Sequence, residues 1–411
     1  MRSGATFQTA RDRVLGEESL AERDRRLAHE LAAGVLRQRA RLDRLFSLAT
    51  TDSRLHDILR LGAYQLRALA RVPAYAAVST SVELAREAAG EPAARFVNQA
   101  LRKLTGVRDR VSGVGASHPE WLVRRWNAHF GDADTTRLLK WNDTQPGLTL
   151  QSARWDPDVL ARRLQEAGIG VTEAPFGAGL HITLTPDTRH LTPRRFPGFA
   201  DGAFIVQDGA HALVCRYAAV PPGSLVYDAC AAPGGKAVAL ERLGARVVAG
   251  DARPDRIGRL RETVRRAAVA IRVVVADLLS APFGEGSLPA VLLDAPCTAT
   301  GTMARHPDAR WRVSERAVVR AAERQRCLLD RAAGLVTRGG VLVYATCSLE
   351  PEENSDVVND FLERHSEFVR EPLRAPLAAP AQLLTAEGDF QCLPHRDGLD
   401  GAYAARLVRT G

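Results

Sequence analysis

Two cysteines stand at the ends of apolar runs: Cys297 closes Ala290-Val-Leu-Leu-Asp-Ala-Pro-Cys297, and Cys347 follows Gly340-Val-Leu-Val-Tyr-Ala-Thr346. A thiolate is both a strong nucleophile and a good leaving group, so covalent attack divides one hard transfer into two easier steps. Upstream of both lies a glycine turn, Asp228-Ala-Cys-Ala-Ala-Pro-Gly-Gly-Lys236, again after an apolar run. A ligand-binding turn and two thiols should therefore open on one sheet edge. The combination implies transfer of an activated group to a weakly reactive carbon.

Cysteine in an apolar run usually packs as a small hydrophobe, and Cys215, Cys327 and Cys392 are read as buried structural residues on that ground. Cys297 and Cys347 differ because each follows its strand. Pro296 keeps the preceding chain extended and aims the Cys297 thiol into the crevice. Cys347 is flanked by Thr346 and Ser348, which hydrogen-bond rather than pack.

The turn matches neither the dinucleotide fingerprint nor a phosphate loop. Its small residues let backbone approach a ligand closely. Asp251, about twenty residues on at the end of the next strand, can bond both ribose hydroxyls, which points to an adenosine without a polyphosphate. Asp277 ends a third strand, within reach of an adenine amino group, and Asp294 ends a fourth beside Cys297. One strand-end aspartate is most often a cap or a solvated group. Four of them, Asp228, Asp251, Asp277 and Asp294, in phase with a Gly-Gly turn mark the crevice beyond the carboxyl ends of an open α/β sheet.

The elements that position these groups fall into three expected domains. Residues 1–115 are all helical: Leu27, Leu31, Val35, Leu42 and Leu45, then Ile58, Leu59, Leu66 and Leu69, then Phe96, Val97, Ala100, Leu101 and Leu104 recur at helical spacing. Thr80 and Glu83 are spaced as a capping box, and Pro73 and Gly90 punctuate the turns. Residues 116–203 form a small α+β subdomain, with a Trp-rich helix at 121–126, strands at Leu148-Thr-Leu150 and His181-Ile-Thr-Leu184, and a helix at 160–166. From 204 to 411 strands and helices alternate as in a mostly parallel sheet, with 375–380 as a surface linker.

The 411 residues exceed one core, and 56 Lys and Arg against 48 Asp and Glu leave a charge of +8, which favours an anionic partner. The six cysteines include no Cys-x-x-Cys pair and no metal-ligand spacing, so no metal is expected. No signal-like start and no run of about 18 apolar residues is found, which gives a cytoplasmic chain with reduced thiols and no membrane partner.

Three stretches together resemble one family: Asp228 to Lys236; Asp294-Ala-Pro-Cys297 with Gly301 and Arg305-His-Pro-Asp308; and Thr346-Cys-Ser-Leu-Glu-Pro-Glu-Glu-Asn354. They look like the motifs of the Sun/Nop RNA cytosine methyltransferases. Asp24-Arg-Arg-Leu-Ala-His-Glu-Leu31, Gly62-Ala-Tyr-Gln-Leu66 and Phe96-Val-Asn98 resemble a NusB-like RNA-binding domain, a fusion found in the RsmB branch. Gly202-x-Phe204-x-x-Gln207-Asp208 extends the likeness to the catalytic entrance.

The resemblance implies a Rossmann-like class I methyltransferase domain, with S-adenosylmethionine as donor and small-subunit ribosomal RNA as substrate of a monomeric enzyme. It assigns donor binding to Cys230, Ala231, Ala232, Pro233, Gly234, Gly235, Lys236, Asp251, Asp277 and Asp294. Cys347 would be the nucleophile at cytosine carbon 6, Cys297 would assist proton removal and release, and Asp294 would hold the protonated ring nitrogen. Lys236 and the donor's sulfonium would supply positive charge near the thiol. Arg37, Arg39, Arg102 and Lys103 are candidate RNA-backbone contacts, with a solvated helix face as the alternative for each.

The chain departs from the family at three points. Few residues precede Ser19-Leu20, where the family has one more helix; Thr298 stands where serine is commoner; and Asp400-Gly-Ala-Tyr403 replaces Gly-Phe-Phe, altering a wall of the expected base pocket. Three rival readings stay open: a DNA cytosine methyltransferase with Cys297 as nucleophile, a transfer-RNA or large-subunit substrate, and a binding-only factor on a methyltransferase fold.

Overall fold

The computed structural model describes residues 6–16, 20–46, 52–105, 117–185, 188, 191–371 and 380–411. The chain opens with five helices: α1 (Phe7–Gly16), α2 (Glu22–Asp43), α3 (Ser53–Ala68), α4 (Ala74–Arg102) and α5 (Glu120–Asn142). A small sheet region follows, with β1 (Leu148–Ser152), α6 (Pro157–Glu166), β2 (Gly170–Glu173), β3 (Leu180–Thr183) and β4 (Phe204–Val206). The alternating part then runs α7 (Gly209–Tyr217), β5 (Leu225–Ala229), α8 (Gly235–Arg242), β6 (Arg246–Asp251), α9 (Pro254–Ala267), β7 (Arg272–Val275) and β8 (Leu288–Asp294). It ends with α10 (Ala309–Arg312), α11 (Glu315–Leu335), β9 (Val336–Thr346), α12 (Ser355–Arg364), β10 (Phe368–Arg370), β11 (Phe390–Cys392), α13 (Pro394–Asp397) and β12 (Ala402–Arg409).

Two compact units result: one holds residues 1–145 and 303–312, the other 146–302 and 313–411. In the helical unit, Leu42, Leu59, Ala63, Val97 and Leu101 form a buried core with Leu31, Val35, Leu66 and Phe96 packed against it, as their spacing predicts. The capping-box reading fails. Thr80 lies inside α4, whose first residue follows Pro73, and its hydroxyl bonds back to the Ala76 carbonyl at 2.9 Å. Gly90 does interrupt the helix, at φ +77°, where a side chain would be strained. A helix, α1, also precedes the segment before which too few residues were expected for one.

Residues 303–312 pack among these helices. Arg310 is fully buried and donates to the Arg37 carbonyl at 2.9 Å and to Asp143 at 2.9 Å, and it also bonds the Asn142 carbonyl. Burial lowers its pKa to about 10, against the pull of Asp143. Arg37, a candidate for either an RNA-backbone contact or a solvated helix face, is instead buried with its guanidinium on the Ala304 carbonyl at 3.1 Å, and Arg39 lies over the Trp311 ring. Arg102 and Lys103 are exposed.

In the second unit the small sheet is antiparallel, ordered β2-β3-β1-β4. The large sheet is ordered β10-β12-β9-β8-β5-β6-β7, with β11 against β12. Strands β9, β8, β5, β6 and β7 are parallel, β12 runs antiparallel to β9, and β10 runs antiparallel to β12. Both faces are covered, so the central strands are apolar throughout and alternate residues enter two cores. Val226, Leu292 and Val343 join one cluster; Tyr227, Leu293 and Tyr344 join the other. Each buried leucine contributes roughly 1.5–3 kcal/mol.

Two sequence expectations are corrected here. Cys215 and Cys392 are buried, but Cys327 is exposed. Helix α11 buries Val318, Ala322, Gln325, Leu329 and Ala332, and Cys327 falls off that stripe. Ala402 and Tyr403 sit in the sheet core, Ala402 on one face and Tyr403 on the other with its hydroxyl on Asp389. Their departure from the family pattern is therefore absorbed by packing. The segment 375–379 of the expected linker lies outside the described residues.

Candidate active site

Strands β8, β5, β6 and β7 lie side by side and parallel, so their carboxyl ends open on one edge. That edge carries Asp294, Asp228, Asp251 and Asp277. Between β5 and α8 the chain turns through Cys230 at φ +67° and Gly234 at φ +108°. The Ala231 amide bonds the Gly250 carbonyl at 2.8 Å, seating the turn on β6. A Cβ at Gly235 would meet the Gln207 side-chain amide at 2.9 Å, so the turn and that side chain lie close together.

Each carboxylate has a distinct environment. Asp251 is buried, accepts from the Ala232 amide at 3.3 Å and the Arg253 amide at 3.0 Å, and pairs with Arg256 at 3.2 Å. Asp277 is exposed and caps a single helical turn through the Leu279 amide at 3.1 Å, the capping role that a lone strand-end aspartate most often has. Asp294 pairs with Lys236 at 2.7 Å, and the same ammonium lies 3.3 Å from His211 Nδ1. Burial works against the Lys236 charge, yet the neighbouring Asp294 outweighs it and the pKa is raised.

Asp228 is wholly buried, and neither of its carboxylate oxygens accepts a hydrogen bond among the described residues. Burial raises its pKa well above the usual carboxylate range; Asp294 and Asp251 add to this and Lys236 opposes it. An orphaned buried acid is costly unless a donor or a cation reaches it. The site thus fits a ligand with a cationic end beside Asp228 and a polar end toward Asp251.

The two thiols meet. Cys297 and Cys347 Sγ lie 3.3 Å apart, and neither residue is sealed from solvent. The hydrogen bond to Cys347 raises the Cys297 pKa well above that of an ordinary thiol, with burial adding to it.

Both thiol loops are fixed by groups that sequence reasoning missed. Glu353, buried, accepts from the Thr298 amide at 2.9 Å, Gln325 Nε2 at 3.0 Å and Ser348 Oγ at 2.8 Å, and also holds the Thr298 hydroxyl. The Gly301 amide donates to the Cys347 carbonyl at 3.0 Å, and Gly401 N to the Gly301 carbonyl at 2.8 Å. Gln325 carried a usable signal: it is a polar residue three positions from both Ala322 and Leu328 on the apolar stripe of α11. Glu353 stood within the quoted motif, but its spacing alone gave it no role.

Among the described residues no helix is long and apolar enough to cross a membrane, and no cluster of His, Cys, Asp and Glu could hold a metal ion. Sequence profiles match in three places: the NusB family at residues 1–105, the ferredoxin-like domain of RsmF/B-like methyltransferases at 118–186, and 16S rRNA methyltransferase RsmB/F at 218–408. The probable ribosomal RNA small subunit methyltransferase B of Synechocystis sp. is 32% identical, covering 100% of this chain and 96% of its own. Ribosomal RNA small subunit methyltransferase B of Vibrio cholerae is 32% identical over 96% of this chain and 91% of its own. Among solved structures, PH0851 superposes with TM-score 0.79 at 25% identity, covering 96% of this chain and 91% of that one. NSun6 from Pyrococcus horikoshii, solved with SFG, shares the fold at TM-score 0.61 and 17% identity, over 71% of this chain and 98% of that one.

Proposed function

The chain belongs to the RsmB/F family of ribosomal RNA methyltransferases, and from that premise we propose that it methylates carbon 5 of a cytosine in small-subunit ribosomal RNA through a covalent adduct at Cys347. The donor is S-adenosylmethionine, and the enzyme works in the cytoplasm. The observation that carries the reading is the 3.3 Å contact between the two thiols. A lone Pro-Cys nucleophile would leave Cys347 without purpose.

S-adenosylmethionine, when bound, supplies an electrophilic methyl group at its sulfonium. The turn from Cys230 through Ala231, Ala232, Pro233, Gly234 and Gly235 to Lys236 lets backbone approach it. Asp251 would hold the ribose, Asp277 the adenine and Asp228 the cationic end.

Carbon 5 of cytosine is a poor nucleophile. Addition of the Cys347 thiolate to carbon 6 makes the ring enamine-like, so that carbon 5 can take a methyl group. As the thiolate adds, ring nitrogen 3 takes a proton from solvent and returns it when the thiolate leaves; Asp294, held by Lys236 at the same sheet edge, would accept the hydrogen bond of that N–H in between. The overall reaction liberates one proton, which leaves from Cys297. The Cys297 thiolate then takes the carbon 5 proton, the carbon–hydrogen pair restores the ring double bond, and Cys347 departs as a thiolate. The pair ends as it began, with its proton on Cys297. The target base must be unpaired or flipped, at a cost of about a few kcal/mol.

The test is mapping of 5-methylcytosine in 16S rRNA from cells with and without the gene, together with calorimetry of donor binding. Loss of one modified cytosine supports the reading. An unchanged map with no donor binding leaves a binding-only factor.

A further inference from the structure

Glu353 lies on the single helical turn Pro351–Glu353 after β9, and its carboxylate gathers donors from Ser348 nearby and from two distant stretches of chain. One oxygen accepts the Thr298 amide at 2.9 Å and Gln325 Nε2 at 3.0 Å; the other accepts Ser348 Oγ at 2.8 Å and the Thr298 hydroxyl. Gln325 Nε2 also donates to the Pro296 carbonyl at 3.0 Å. The residues on either side of Cys297 and the residue after Cys347 are thus tied to one buried acid. Asn354, its neighbour, accepts from the Thr346 hydroxyl at 2.5 Å and donates to the Ser348 carbonyl at 2.9 Å, closing the bracket around Cys347. Thr298, a departure from the family's usual serine, keeps one of the two hydroxyls the clamp uses.

We propose that Glu353 is a positioning residue that clamps the Cys297 and Cys347 loops at proton-sharing distance, and so governs release of the RNA adduct rather than its formation. The inference rests on the covalent mechanism above. Formation of the adduct needs only the Cys347 thiolate and a base. Release also needs Cys297 beside the departing sulfur, and a displacement of about 1 Å at a reacting group can cost on the order of 100-fold.

The donor pattern sharpens the test. Both groups on one oxygen are N–H donors, which only an acceptor can satisfy; both on the other are hydroxyls, which can rotate to accept. A glutamine at 353 can therefore place its carbonyl on the N–H side and its amide on the hydroxyl side, keeping the clamp without the charge. Alanine cannot.

The experiment incubates wild type, Glu353→Ala and Glu353→Gln with 16S rRNA transcribed in vitro and S-adenosylmethionine, then measures denaturant-resistant protein–RNA adduct and methyl turnover, each normalised to donor-binding sites. Glu353→Ala should accumulate adduct about 10-fold above wild type while turnover falls about 100-fold. Glu353→Gln should turn over within about threefold of wild type. Equal loss of adduct and turnover in the alanine variant, or a glutamine variant that fails as alanine does, overturns the clamp. Should Glu353→Ala bind no donor, the glutamine variant decides alone. Absence of any adduct from Cys297→Ala protein overturns the covalent reading itself and the clamp with it.

Discussion

The Cys347 loop rests on a glycine contact that leaves no room for a methyl group. A Cβ added at Gly301 would lie 2.7 Å from Gly401 Cα and 2.8 Å from the Cys347 carbonyl oxygen, both backbone atoms. Ordinary contact begins at 3.4 Å, so that carbonyl must retreat by about 0.6 Å or Gly301 must move instead. Either motion strains the 3.0 Å bond from Gly301 N to Cys347 O and the 2.8 Å bond from Gly401 N to Gly301 O. Overpacking of this kind costs about 1–3 kcal/mol, and each kcal/mol lowers the melting temperature by about 2–4 °C in a unit of this size. The effect on chemistry should be larger, because the displaced carbonyl belongs to the proposed nucleophile: roughly 10- to 100-fold in single-turnover methyl transfer at saturating donor and RNA. Gly334→Ala in α11 is the control, since nothing lies within 4 Å of its added Cβ. It should gain about 0.4–1 kcal/mol and turn over normally. A Gly301→Ala protein with wild-type melting and wild-type single-turnover rate would refute the claim that this contact seats Cys347.

Two further outcomes follow from the charged groups. Asp294→Asn removes the 2.7 Å partner of the buried Lys236 ammonium and should slow single-turnover methyl transfer by about 10²–10³-fold at saturating donor, read by rapid quench. Asp228→Asn should stabilise the donor-free protein at pH 7.5 by about 1 kcal/mol or more while weakening donor binding. The folded pKa of Asp228 is raised, so its native state binds a proton more tightly than the unfolded chain; wild-type stability is fully present below pH about 3.8 and falls as pH rises through the folded value. The gap between variant and wild type should accordingly shrink as urea unfolding is repeated toward pH 4, and a gap that widens on acidification contradicts the assignment.

Local chemistry made the four strand ends, the glycine turn and the two thiol loops legible in the sequence. Short apolar runs ending in aspartate and alternating with helical segments read as buried parallel strands, and Cys347 stands between the hydrogen-bonding residues Thr346 and Ser348. What escaped was set by contacts distant in sequence. Arg37 looked like a helix cation open to solvent or to an RNA phosphate, whereas residues 303–312 pack over it. Thr80 and Glu83 had capping-box spacing, but the helix had already begun at Ala74, so the hydroxyl serves the turn behind it. Cys327 was read from residue type alone, whereas the helix stripe decides its exposure. Glu353 and Gln325 matter because they are acceptor and donor to loops 28 to 55 residues away, and no short-range pattern encodes that.

The division of labour between the thiols is tested most directly by locating the covalent bond. Cys297→Ala protein is incubated with 16S transcript and S-adenosylmethionine, digested with protease and nuclease, and analysed by mass spectrometry. A methylated cytidine attached to the peptide carrying Cys347 is the predicted result, with no adduct from Cys347→Ala. A cytidine found on Cys297 in the Cys347→Ala protein, with none on Cys347 in the other variant, would contradict the account.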